Sequence, residues 1–416
     1  MKKNYLIVAD DFTGSNDTGV QLTKRGIFAK VVFSSTSLNN QQCSLVVDTE
    51  SRNVSGEEAR KKLFNLLTNI SLSSFDFVMK KVDSTLRGNI VEELQALDVL
   101  YKPDLVFFDN ALPSLNREIK DGVLYVNGIR GTETDLRNDP IKPLTEDNLI
   151  NILNNAFPNE KKRLITLNDL RGNASILNED CRIYAADSVT DGDMQSLVKK
   201  LKNKINGKKV LWIGSAGLMD AALSVDFPAP PSLGLIGSVS KVTREQVHFA
   251  EQNGIEIVKI PIYEVYEKED YHPFVTQILT SLKKGKDTIV ASSASYNFTE
   301  LEKTKKILSE QKLSKEEINS LVQSILGGIC RKVLHNSVIS GLFIAGGDTA
   351  KGFFDGIQAE GVNILEEIAT GVPMMEIIGG KSDSLKIVTK AGAFGDKELI
   401  VFSYKKLKEK FISGLV

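Results

Sequence analysis

Three cysteines and three histidines in 416 residues are too few and too scattered for a zinc site or a disulfide framework. Cys43, Cys181 and Cys330 share no ligand spacing, and neither do His248, His272 and His335. Cys43 and Cys181 fall in or beside predicted strands, where a buried thiol is the ordinary reading. An excess of one charge is also missing. The 53 acidic and 52 basic residues argue against a surface dedicated to nucleic acid, while leaving room for a local basic pocket. No apolar stretch approaches the length of a membrane span. The two N-terminal lysines precede a short strand-like run rather than a signal peptide, so a cytoplasmic protein is expected. Two nucleotide signatures are absent as well. No Gly-x-Gly-x-x-Gly follows a strand near the N-terminus, which weakens a dehydrogenase reading. Gly380-Lys381-Ser382 ends like a P-loop, but the motif's first glycine would have to stand at Met375.

What is present is an unusual opening. The apolar run Tyr5-Leu6-Ile7-Val8-Ala9 ends in two adjacent carboxylates, Asp10 and Asp11, followed by Phe12-Thr13-Gly14-Ser15-Asn16-Asp17-Thr18-Gly19. Carboxylates are costly at the end of a buried strand unless water, a metal or a substrate hydroxyl satisfies them. In open α/β sheets that strand end is where ligands bind. Helix capping by Asp11 or Thr13 accounts for one of the two acids and not for both.

The length exceeds a single typical core and suggests two domains. A hydrophobic content of 42% with 25% charged residues is that of an ordinary soluble globular protein. Short β-branched runs alternate with amphipathic segments, which implies largely parallel sheets covered by helices. The spacing predicts helices over residues 17–24, 216–223 and 350–360. The stretch 112–143 breaks the rhythm, with one short strand at 124–126, and a loop of that length is more often functional than filler. Pro228-Ala229-Pro230-Pro231 stiffens the chain and marks the boundary. The expected architecture is two α/β domains, residues 1–230 and 231–416, each a mainly parallel sheet with flanking helices and a ligand cleft between them.

Four further segments repeat the grammar of a strand end followed by glycine, hydroxyl or charge. Thr49-Glu50-Ser51-Arg52 follows the strand ending at Asp48, and Lys81-Val82-Asp83-Ser84-Thr85-Leu86-Arg87-Gly88-Asn89 joins a strand to a helix. Such cations, hydroxyls and acids on one sheet edge suit a small polyhydroxy anion. Arg52 taken alone reads as readily as a solvated surface arginine. In the second half, Gly237-Ser238-Val239-Ser240 and Gly346-Gly347-Asp348-Thr349-Ala350 each run from a strand into a helix, offering backbone N–H groups to a phosphate. Lys390-Ala391-Gly392-Ala393-Phe394-Gly395 follows another strand and is placed to close over the same ligand. Gly214-Ser215-Ala216-Gly217, just before the boundary, reads equally as structural helix packing or as a contact across the cleft.

Five of these motifs, in this order from residue 9 to residue 395, resemble those of the four-carbon acid sugar kinases. They are Ala9–Gly14 with Asn16–Gly19, Lys81–Asn89, Gly214–Leu218, Gly346–Ala350 and Lys390–Gly395. The resemblance implies an N-terminal acid-sugar domain and a C-terminal nucleotide domain. It implies ATP-dependent phosphorylation of the terminal hydroxyl of threonate, erythronate or a 3-oxo-tetronate. Carried over by motif, Asp10, Arg52 and Lys81 through Ser84 are implied substrate contacts, with Arg87 in the same cluster. Ser238 or Ser240, Gly346, Gly347, Asp348, Thr349 and Gly392 are implied ATP contacts. Mg²⁺ is expected to bridge the phosphates through few protein ligands. The candidates for the general base are Asp348, Asp10 and Asp11, with Asp348 favoured and Asp10 assigned to anchor substrate. The expected partners are the acid sugar and ATP, without nucleic acid or membrane, and self-association into a homo-oligomer is left open.

One segment departs from the family pattern. Asn110-Ala111-Leu112-Pro113-Ser114-Leu115-Asn116-Arg117-Glu118-Ile119 keeps the arginine of a Pro-Ala-x-Pro-x-x-Gly-Arg-Thr-Thr-like stretch, but not its first proline, its glycine or its threonines. That departure motivates two alternatives: a kinase for another polyhydroxy acid, and a non-catalytic ATP and sugar-acid sensor.

Overall fold

Apolar runs that end in polar residues become parallel strands throughout the chain. The computed structural model describes residues 3–34, 43–173 and 175–409. These divide into two units, one reaching to Pro228 and the other spanning Ala229–Glu409.

The first unit contains β1 Tyr5–Ala9, β2 Ala29–Val32, β3 Ser44–Asp48, β4 Phe77–Lys81, β5 Leu105–Asp109, β6 Arg117–Lys120, β7 Val123–Val126, β8 Ile129–Arg130, β9 Lys162–Ile165, β10 Ile183–Ala186 and β11 Val210–Gly214. Eight of them form one sheet in the order β2-β3-β1-β4-β11-β5-β10-β9, with parallel pairing throughout. Both faces are covered, so β1 is buried along its whole length. Leu6 and Val8 join the core on one face, Tyr5 and Ile7 the core on the other. Phe77, Trp212, Phe107 and Tyr184 stack in a row across the second face, with ring centroids 5.2–5.6 Å apart. Each such buried side chain contributes about 1.5–3 kcal/mol of transfer free energy.

Register sets the carboxyl ends level. Ala9 pairs with both Asp48 and Lys81, and Gly214 with both Lys81 and Asp109. The chain leaves β1 for β2 and β3 on one side, then crosses to β4 on the other. The strand order therefore reverses between β1 and β4, and a crevice opens there at the carboxyl edge.

The second unit repeats the plan with β12 Leu233–Ile236, β13 Glu256–Ile260, β14 Thr288–Ser292, β15 Leu342–Ala345, β16 Gly361–Ala369, β17 Val372–Ile378 and β18 Lys386–Lys390. The order is β13-β14-β12-β15-β18-β17-β16, antiparallel only where β17 meets its two neighbours. Here the reversal lies between β12 and β15. Gly380–Ser382 is a turn between antiparallel β17 and β18, which removes any P-loop reading.

Three elements differ from the sequence expectation. The first helix is Phe12–Thr23, not 17–24, because Asp11 caps it directly and accepts from Gly14 N at 2.9 Å. The helix after β15 is Gly347–Ile357, not 350–360, so both Gly347 and Asp348 lie inside its first turn. The stretch 112–143 holds a three-stranded antiparallel sheet, β6-β7-β8. Its turns are Asp121-Gly122 and Asn127-Gly128, all four residues at positive φ, which is the geometry of tight hairpins. Among the described residues no helix is long and apolar enough to cross a membrane.

Candidate functional site

At the β1/β4 crevice the sequence has packed three charged side chains into one clamp. Arg52 Nε and Nη2 donate to the two oxygens of Asp10 at 2.7 and 2.9 Å. Its Nη1 and Nη2 donate to the two oxygens of Asp11, both at 2.7 Å. A guanidinium has five N–H groups, so this clamp uses all but one. Asp10 is 2% exposed and is tolerable there only because it is paired this way. Burial alone would lower the basicity of Arg52, but the bonds and charge of Asp10, followed by Asp83 and Asp11, raise it above the ordinary value.

The loop carrying Arg52 is itself held in place. Ser51 N and Arg52 N donate to Asp10 O at 2.9 and 3.1 Å. Asn89 Nδ2 donates to Ser51 O at 2.7 Å and to Val54 O at 2.9 Å. Beneath it, Ser51 Oγ donates to Glu93, which ion-pairs with Lys80 at 3.0 Å in a fully buried contact. Burial pushes the Glu93 carboxyl up, against the pull of Lys80.

Lys81 is different. Its ammonium is 4% exposed, donates to Val82 O at 2.9 Å, and has no carboxylate within ion-pair distance among the described residues. Burial pushes its pKa down, while the charges of Asp10, Asp83 and Asp11 oppose that and Arg52 adds to it. A Cβ at Gly14 would sit 3.0 Å from this nitrogen, so Lys81 lies against the start of helix Phe12–Thr23. Gly88, at φ +113°, lets the chain pass where a Cβ would come 3.2 Å from Asp10 Oδ2.

The turn after β4 supplies the remaining polar groups. Asp83 accepts from Arg87 Nε at 2.8 Å and from Thr85 Oγ1. Burial would raise its pKa, but those bonds hold it below the usual carboxylate value. Arg87 also reaches Asp139 at 2.7 Å. Ser84 Oγ accepts from Arg117 Nη1. The Val82 side chain is 1% exposed within the core, its N–H donates to Gly214 O at 3.0 Å, and its carbonyl accepts from Lys81 Nζ.

Arg117, Asn110, Gly14 and Gly88 lie among the residues that the sequence reading expected to meet substrate. Arg117 enters from β6, has no carboxylate partner among the described residues, and leaves its buried Nε unbonded. Burial lowers its pKa, with Asp83 opposing. Asn110 is fully buried, donates to Asp83 O at 3.0 Å and leaves Oδ1 unmet. The signal for Arg117 was present in the sequence, as the one position of the altered segment that keeps the family residue. Gly214-Ser215-Ala216-Gly217 is a packing device. Ser215 caps the helix Ala216–Asp226 and donates to Ala111 O at 2.6 Å, and a Cβ at Gly214 would meet Asp109 O at 2.1 Å.

In the second unit the carboxyl edge between β12 and β15 gathers the other predicted residues. Gly346 adopts φ +116°, which favours glycine, whereas a Cβ added at Gly347 would meet no atom within 4 Å. Asp348 is exposed and has no side-chain partner among the described residues. Thr349 is buried, and a Cβ at Gly237 would come 2.1 Å from its hydroxyl. Ser240 caps helix Lys241–Gln252, and its hydroxyl donates to Thr243 Oγ1 at 2.9 Å and to Gly392 O. Ser238 Oγ accepts from Thr243 Oγ1 at 3.0 Å. Both serine hydroxyls thus already serve the local structure. No group of three His, Cys, Asp or Glu side chains that could hold a metal ion occurs among the described residues. An exposed Asp348 beside the glycine turn fits an ion held mainly by phosphates and water.

Comparison with known proteins covers both units. Residues 5–222 match the family of sugar-binding N-terminal domains, and residues 233–400 that of nucleotide-binding C-terminal domains. A D-threonate kinase of Salmonella typhimurium is 28% identical, over 98% of this chain and 99% of its own. A D-erythronate kinase of Heliobacterium modesticaldum is 26% identical over 95% of each chain. A 3-oxo-tetronate kinase of Actinobacillus succinogenes is 25% identical over 95% of this chain and 98% of its own. The fold matches a crystal structure from Bordetella bronchiseptica of a domain of unknown function, a domain-swapped dimer with bound citrate. That match has a TM-score of 0.61 at 22% identity, over 98% of this chain and 100% of that one.

Proposed function

Because the chain belongs to the four-carbon acid sugar kinase family, we propose that it uses ATP to phosphorylate the terminal hydroxyl of a tetronate such as threonate or erythronate, in carbohydrate catabolism. The observation that carries the substrate half is two cations, Lys81 at the end of β4 and Arg117 at the start of β6 against Ser84, neither matched by a carboxylate among the described residues. An acid-sugar carboxylate is the charge they lack. Lone pairs of Asp10, Asp11 and Asp83 not used by their arginines accept hydroxyl hydrogens, and Arg52 fixes Asp10 and Asp11 in position.

The nucleotide half rests on Gly346 through Thr349 at a helix start, with Gly392 beside Ser238. Backbone N–H groups there receive the phosphates, and Mg²⁺ neutralises their charge. Asp348 is the favoured base. Asp10 and Asp11 are both engaged by the Arg52 guanidinium, while Asp348 is exposed and has no side-chain partner among the described residues.

The altered segment Asn110–Ile119 supports a second reading, a kinase for 3-oxo-tetronate or another polyhydroxy acid, or an ATP and sugar-acid sensor without turnover. Coupled ADP release on a panel of threonates, erythronates and 3-oxo-tetronates tests the choice, paired with thermal shift. Stabilisation by both ligands without ADP identifies the sensor. Turnover on a longer acid identifies the other kinase, and no response to any ligand removes the proposal.

A further inference from the structure

The loop after β18 has no regular structure, yet its carbonyls are turned one way. Lys390, the last residue of β18, is 3% exposed. Its Nζ donates to Gln246 Oε1 at 2.6 Å, Phe394 O at 3.1 Å and Gly392 O at 3.3 Å. Three ammonium hydrogens meet three acceptors. Gln246, fully buried on helix Lys241–Gln252, directs its amide nitrogen to Phe394 O, Gly395 O and Asp396 O at 3.1, 3.1 and 2.7 Å. Ser240 and Thr243 hydroxyls also donate to Gly392 O.

The carbonyls of Gly392, Phe394, Gly395 and Asp396 are therefore all drawn toward one buried pair. In a trans peptide the next N–H points the opposite way, and no cis bond occurs among the described residues. The N–H groups of Ala393, Gly395, Asp396 and Lys397 thus face away from Lys390 and Gln246, on exposed residues, and none has an acceptor among the described residues. Successive free N–H groups make an anion-binding concavity. This one adjoins the glycine turn. Gly346 N donates to Lys390 O at 3.0 Å, and a Cβ at Gly392 would lie 2.7 Å from Ser238 Oγ.

Resting on the kinase reading, we propose that Lys390 in its ammonium form and Gln246 are positioning residues that hold the loop Gly392–Lys397 as an N–H cradle for the nucleotide's phosphates. Burial pushes the Lys390 ammonium down to about 8. The charged groups carried by the surrounding elements are Glu245 and His248, Asp348, Glu376, Lys406 and Asp396. A neutral amine has one hydrogen too few for the three acceptors, so the cradle loosens as Lys390 deprotonates.

Titration calorimetry with ADP, together with amide exchange at residues 391–397, tests this on Lys390→Met and Gln246→Leu. Both variants are expected to weaken ADP binding by about ten-fold or more, to speed exchange in the loop, and to leave sugar-acid binding unchanged. Wild-type ADP affinity should fall above about pH 8, and Lys390→Met should flatten that dependence. If Lys390→Met fails to fold, Gln246→Leu and the wild-type pH profile carry the test. ADP affinity within about two-fold of wild type in a folded variant, or a flat wild-type profile, overturns the inference alone. A wild-type chain that binds no ADP overturns the kinase reading with it.

Discussion

Lys81→Met separates a binding lysine from a structural one, because the two roles predict opposite effects on stability. In the unliganded protein the ammonium is buried, disfavoured by desolvation, and among the described residues bonded only to Val82 O. Removing it loses one charge-assisted hydrogen bond, about 1.5–3 kcal/mol at most. It also removes a buried cation without a paired carboxylate, and replacing buried charge by an apolar residue of similar length is often neutral or stabilising by about 1–4 kcal/mol. The two terms nearly cancel, for a net change of about ±1 kcal/mol. In a unit of this size that moves the melting temperature by about 2–4 °C. Binding should respond far more. Removing one partner of a desolvated charge pair costs about 2–5 kcal/mol, and because Arg117 shares the load the lower half of that range applies. A loss of about 2–3 kcal/mol raises the dissociation constant for the sugar acid by about 30- to 150-fold. Scanning calorimetry on the unliganded protein and titration with threonate or erythronate measure both quantities. A melting temperature lower by ten degrees or so, or unchanged sugar-acid affinity in a folded variant, would falsify the assignment of Lys81 to substrate.

Arg52→Ala should behave in the reverse sense. It strands two carboxylates and destabilises the first unit by about 3 kcal/mol, with strong non-additivity in a cycle with Asp10→Asn; additive effects in chemical denaturation would break the clamp argument. Gly347→Val should fold normally and lose ATP while keeping the sugar acid, whereas Gly346→Val should lose stability itself, since only Gly346 has a positive φ; titration and melting curves on both variants distinguish them. Lys390, lowered to about 8 from 10.5, binds fewer protons folded than unfolded between those values, so its contribution to stability rises with pH across that window while nucleotide affinity falls. Chemical denaturation at several pH values checks the first half. Asp348→Asn should leave both ligands bound and cut kcat by about 10²–10⁴. Near-normal kcat there, with a dead Asp10→Asn or Asp11→Asn enzyme, moves the base to the first unit.

The parallel sheets and the polar strand ends at their carboxyl edges were legible because their signals are local. A buried parallel strand is a continuous apolar run, and the residue that ends the run is the residue at the sheet edge, as Ala9 before Asp10 and Ala345 before Gly346 show. Of the hairpins β6-β7-β8, equally local, only β7 was read, as the strand at 124–126, and its two partners were missed. Asp121-Gly122 and Asn127-Gly128 are strong two-residue turn signals, masked by strands only two to four residues long. The start of helix Phe12–Thr23 was missed for another reason. Capping by Asp11 or Thr13 was weighed but not used to place the helix, and the cap at Asp11 sets its start at Phe12 rather than residue 17.

Pairing between distant charges was not legible, and it changes the division of labour in the site. Arg52 and Lys81 are equivalent in sequence, each a cation just beyond or at a strand end. Only the fold shows that Arg52 commits four of its N–H groups to Asp10 and Asp11, while Lys81 and Arg117 have no carboxylate partner among the described residues. A site that neutralised every cation internally would have no electrostatic reason to take up an acid sugar, and one that neutralised none would not fold at low cost. The arrangement here meets both demands by splitting them. One arginine makes two adjacent aspartates tolerable at a buried strand end, and a buried lysine is left short of a counter-charge. The order of effects follows: substitutions in the clamp should register first as lost stability, and substitutions of the unmatched cations first as lost affinity.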